Sequence, residues 1–163
     1  MKKVLILLLL SILLFMLDNV LMPFISIRGA YPNLLLVFII SYSIINGSWE
    51  GMWIGTLCGM LQDVYFLNGF GINAFTNMIV CILAGFIGNS ILKQKMIMPV
   101  MTCFALSILK GIMVFVILYI GKVYSSFGNV FIIGIYSLII SIVMYKGVYR
   151  LCQKPYMERR WRF

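Results

Sequence analysis

The stretch "EGMWIGTLCGMLQDVYF", residues 50–66, sets Gly51, Gly55 and Gly59 four residues apart and puts Asp63 four residues further on, in otherwise apolar surroundings. This glycine step makes two overlapping G-x-x-x-G units, which bring a second helix close to the backbone because no side chain intervenes. At ~100° per residue the stripe drifts by ~40° per step, which suits a right-handed crossing. The stripe is expected to pack helices of this chain against each other, with contact to another protein as the alternative. The carboxylate that ends it becomes a problem only if the stretch lies in a membrane.

The flanking sequence puts it there. Of the 163 residues, 63% are hydrophobic and 10% are charged, and the mean hydropathy is +1.08. Apolar runs close to the ~17–25 residues that cross a bilayer occupy nearly the whole chain. An all-α membrane protein follows, with six transmembrane helices predicted at 4–25, 32–47, 49–66, 72–92, 97–121 and 128–149. Together they form one polytopic domain, followed by a basic tail at 150–163. The first span begins as a signal peptide does, but it runs too long and lacks a small-x-small cleavage site, so it reads as an uncleaved helix. The second is barely long enough to cross. "SWEG", "LNGFG", "KQK" and residues 122–128 are the expected turns.

Lys and Arg counts near the span ends set the orientation. With the N-terminus inside, Lys2, Lys3, Lys93, Lys95, Lys146, Arg150, Lys154, Arg159, Arg160 and Arg162 fall on the inner side, against Arg28 and Lys122 outside. Both termini are therefore expected in the cytoplasm.

Three charges remain within spans. A carboxylate at the bilayer centre costs about 2.5–3.5 kcal/mol on insertion scales and normally faces protein or water. At ~1.5 Å rise per residue, Asp63 lies ~20 Å beyond Glu50, Asp18 ~21 Å beyond Val4, and Lys110 ~20 Å beyond Ile97. All three thus converge on one depth in the outer half. An ion pair of Lys110 with Asp63, extended to Asp18, would tie the first, third and fifth helices together. Exposure of the two carboxylates at the outer interface is one alternative, and a proton or substrate site is another.

Much chemistry is excluded. The net charge of +9 would suggest nucleic acid in a soluble protein, but Lys154, Arg159, Arg160 and Arg162 follow directly on a span, which marks a cytoplasmic tail suited to anionic lipids. With no histidine, the commonest general base and metal ligand is missing. Cys58, Cys81, Cys103 and Cys152 are scattered and read as small packing residues. The acidic residues are Asp18, Glu50, Asp63 and Glu158 alone, too few and too dispersed for a catalytic metal cluster. No catalytic residue, cofactor or metal is expected. Trp49, Trp53, Tyr31, Tyr42 and Trp161 read as interfacial anchors.

Residues 33–92 resemble the MreD family of bacterial rod shape-determining membrane proteins. Pro32 and Asn33 open a helix, Gly47 and Gly51 supply a turn, and Gly55 and Gly59 belong to a small-residue helix that closes in "GMLQD" at Asp63. Gly71, Asn73 and Ala74 then match the start of the next helix. The resemblance implies a non-enzymatic component of the cell-wall elongation machinery, working with MreC, MreB filaments, the glycosyltransferase RodA and a penicillin-binding transpeptidase. It also implies a fold similar to the substrate-binding subunits of energy-coupling-factor vitamin transporters, so a vitamin-binding subunit is the alternative function. Such a subunit would dock through small-x-x-x-small spacing on helix 1, where Ser11 stands alone among bulky residues.

Overall fold

In the computed structural model the described residues are 2–25, 32–65, 71–90, 97–120 and 128–154. They form α1 (Lys2–Val20), a short 3-10 turn (Met22–Ile25), α2 (Leu34–Asn46), α3 (Ser48–Tyr65), α4 (Ile72–Ser90), α5 (Ile97–Ile120) and α6 (Gly128–Cys152). Four of these, Lys3–Val20, Ile72–Ser90, Ile97–Ile120 and Ile132–Cys152, are long and apolar enough to cross a membrane.

The second and third expected spans are not among these four. Helix α2 has 13 residues, ~20 Å of rise against a hydrocarbon core of ~30 Å. Leu35 to Ile44 are all buried, and α2 touches α1, α3, α4, α5 and α6. It is the core of the bundle. Its apolar run fits surroundings of protein on every side. Helix α3 has the length but carries Glu50, Gln62 and Asp63, and it is not among the four apolar helices.

The turn expected at "SWEG" is a single residue, Gly47. Its φ of 100° lies where side chains are strained, and its N–H bonds to the Ser43 carbonyl at 2.9 Å, which ends α2 and lets α3 begin at Ser48. Of the other expected turns, residues 66–70, 93–95 and 122–127 lie outside the described residues, as do Arg28 and Tyr31.

The helices alternate in direction. Lys3 of α1, Asn46 of α2, Glu50 of α3 and Cys152 of α6 meet at one end of the bundle, through Lys3–Glu50 at 2.7 Å and Asn46 to Cys152 at 3.2 Å. Asp18, Asn33, Asp63 and Gly71 gather at the other. The described start and end of the chain therefore share one side. The outward face of α1 exposes Leu5, Leu8, Leu9, Ile12, Leu13 and Met16, a continuous apolar surface of the kind that a lipid environment covers.

Candidate functional site

Gly51, Gly55 and Gly59 are buried along the face of α3 that meets α4. A methyl group on Gly55 would come within 2.8 Å of Cys81 Sγ and 2.9 Å of the Asn77 carbonyl, one on Gly51 would overlap Ser43, and one on Gly59 would overlap the Ala74 backbone. The stripe is matched on α4 by Ala74, Asn77 and Cys81. Ser43 Oγ donates to the Cys81 carbonyl and ties α2 into the same seam. Gly85 and Gly88 extend the close approach to Ser48 and Ile44. Cys58, Cys81, Cys103 and Cys152 are all buried free thiols.

This approach sets where Asp63 ends up. Its carboxylate accepts from the N–H groups of Gly71 (3.1 Å), Asn73 (2.9 Å) and Ala74 (2.9 Å), at the start of α4. The first N–H groups of a helix have no partner within it and carry the positive end of the dipole, so an anion there is satisfied without a cation. Gly71 adopts φ 98° to make the turn. Asp18 does the same for α2, accepting from Leu34 (2.7 Å) and Leu35 (2.9 Å), while the Asn33 side chain takes Leu36 (2.7 Å). Each deep carboxylate is thus an N-cap supplied by a different helix.

Among the described residues, Lys110 therefore has no carboxylate within ion-pair distance. It is 6% exposed, and its ammonium donates to Gln62 Oε1 at 3.3 Å. Gln62 also accepts from Asn77 at 3.0 Å and donates to Asn33 at 3.4 Å. Asp18 and Asp63 act on Lys110 through space, but among the described residues no ion pair joins it to either. In place of the expected carboxylate, the ammonium bonds a neutral amide one residue from Asp63. The physical reason is that helix N-termini already satisfy the carboxylates. Gln62 and Asn77 escaped the sequence reading, although Gln62 stands beside Asp63 in the quoted stretch, and Asn33 was read as opening a helix but not as a partner of Gln62.

The ion pair that does form lies at the opposite end. Lys3 donates to both Glu50 oxygens at 2.8 and 2.7 Å, and Tyr42 donates to Glu50 at 2.6 Å. Tyr42 is thus a buried donor at 1% exposure, not an interfacial anchor. Trp49 and Trp53 are exposed and meet edge to face at 6.4 Å. Between α1 and α3 runs an apolar groove of about 710 Å³. Among the described residues no three His, Cys, Asp or Glu side chains converge as for a metal. Lys154 is exposed just beyond α6. Trp161, Glu158 and the tail cations Arg159, Arg160 and Arg162 lie outside the described residues.

A family model described as rod shape-determining protein MreD matches residues 1–155. No curated protein and no solved structure matches the chain.

Proposed function

The chain belongs to the MreD family of rod shape-determining proteins, and from that premise we propose that it is a non-enzymatic membrane scaffold of the cell-wall elongation machinery. It sits in the bacterial cytoplasmic membrane with both termini in the cytoplasm. The observation that carries this reading is the use of its interior polar groups. Asp18, Asp63, Gln62, Asn33 and Asn77 all bond to other parts of the same chain, and the glycine stripe is filled by α4 and Ser43. Such groups hold a frame together and are not turned toward a substrate. The lipid-facing surfaces are left for partners, and the membrane segment of MreC is the first of these. RodA, a penicillin-binding transpeptidase and MreB filaments are reached directly or through MreC, and the basic tail rests on anionic lipids.

A vitamin-binding subunit would need several polar groups converging on an enclosed pocket. The α1–α3 groove has Lys3, Glu50 and Tyr42 at one end and is otherwise almost wholly apolar, which favours the scaffold. Purification in mild detergent with mass spectrometry of what accompanies the chain tests the two. Stoichiometric MreC is expected, and a stoichiometric vitamin in its place would overturn the scaffold.

A further inference from the structure

The groove between α1 and α3 is built like an amphiphile. Its walls include Leu8, Ile12, Trp53 and Leu57, and its polar groups lie chiefly at one end, where Lys3, Tyr42 and Glu50 meet. The floor is closed by Cys58 donating to Ser11 at 3.4 Å, so α1 and α3 stay joined while their outward edges remain apart. Leu8 and Leu57, on opposite walls, are each more than half exposed.

Size, depth and charge select the occupant. The 710 Å³ volume falls inside the ~300–1,000 Å³ of small-molecule sites. The α1 wall runs from Lys3 to Ile12, ~14 Å of rise, and the α3 wall from Trp49 to Val64, ~22 Å, both short of the ~30 Å hydrocarbon core. A partner helix crossing the bilayer would need a longer groove than either wall offers. At the polar end Lys3 is paired with Glu50, and Arg150 in the last turn of α6 adds a further positive charge at the same end of the bundle. Lys3 directs two bonds to Glu50, and an ammonium has three donors.

We propose that the α1–α3 groove holds an acyl chain of an anionic phospholipid, with its phosphate at the Lys3 end. The site is independent of the scaffold role, since it requires only that the chain lie in a membrane. The lipid fills the gap that α1 and α3 leave between them and makes α1 part of the frame.

The test uses the full chain in vesicles of phosphatidylethanolamine and phosphatidylglycerol at a ratio of about three to one, chosen to resemble a bacterial membrane with a minority of anionic lipid. Either lipid carries a photoactivatable acyl chain, and the labelled residues are mapped by mass spectrometry. Labels are expected to concentrate on residues 7–12 and 53–61, with phosphatidylglycerol favoured by about fivefold at equal concentration, the effect of one lysine near the surface. Leu57→Trp should fill the groove and remove most of the label, and Leu8→Trp should do so from the opposite wall, so the result does not rest on one variant folding. Lys3→Gln should keep the label but lose the preference for phosphatidylglycerol. Ile139→Trp on exposed α6 should change neither. Labels spread evenly over α1, α5 and α6, equal labelling by both lipids, label persisting in both groove variants, or a partner peptide cross-linked there instead would overturn the proposal.

Discussion

The two ends of the bundle hold acidic residues by different means. At one end Glu50 takes an ammonium and a phenol, Lys3 and Tyr42. At the other, Asp18 and Asp63 take only neutral partners, five backbone N–H groups on two helices. A long side chain such as Lys3 reaches across a helix end and keeps its stem on apolar surface, so an ion pair forms there at modest cost. Deep in the bundle the buried Lys110 ammonium is bonded to Gln62, whereas a helix N-terminus carries donors that have to be satisfied anyway. The lesson is that an intramembrane carboxylate does not identify its partner as a cation.

The contrast can be broken most severely at Asp63. Asp63→Ala leaves three N–H groups at the start of α4 without an acceptor and should cost on the order of 4 kcal/mol, read by detergent-denaturation titration. Amide exchange should rise at residues 71–74 while Leu34 and Leu35 stay protected. Next is Gly59→Ala. Its methyl overlaps the Ala74 backbone and pushes the start of α4 away from Asp63, at about 3 kcal/mol, with the same exchange pattern as a signature. Asp18→Ala removes two bonds, but Asn33 still holds Leu36, so about 2 kcal/mol is expected, with exchange rising at 34–35. Smallest is the ion pair. Lys3→Gln leaves Glu50 with Tyr42 and an amide in place of the ammonium, so about 1.5 kcal/mol is expected, and exchange at both helix starts should be unchanged.

Much of the frame was legible in the sequence. The glycine spacing marked the face of α3 that packs closely, and the 1.5 Å rise placed Asp18, Asp63 and Lys110 near one depth. Helix limits agree within a few residues, the largest difference being the end of α1, where Met22–Ile25 form a separate 3-10 turn. What stayed hidden depends on which helix crosses which. Asp63 caps α4 only because Gly59 lets α4 approach, and nothing local to Asp63 states that. The same holds for Asp18, whose partners are 16 and 17 residues away. One signal was available. The resemblance already grouped Asp63 with Gly71, Asn73 and Ala74, and all three donate their backbone N–H to it at the start of α4. Lys3–Glu50, 47 residues apart, had no signal beyond a shared side in the topology.

The claim that helix ends, and not Lys110, hold Asp63 is tested most directly by a double-mutant cycle of Asp63→Asn with Lys110→Met in detergent-denaturation titrations. With the carboxylate held by α4 and the ammonium by Gln62, the two losses should add, with a coupling below about 1 kcal/mol from through-space attraction alone. A coupling of about 3 kcal/mol, the scale of a broken buried ion pair, would contradict it.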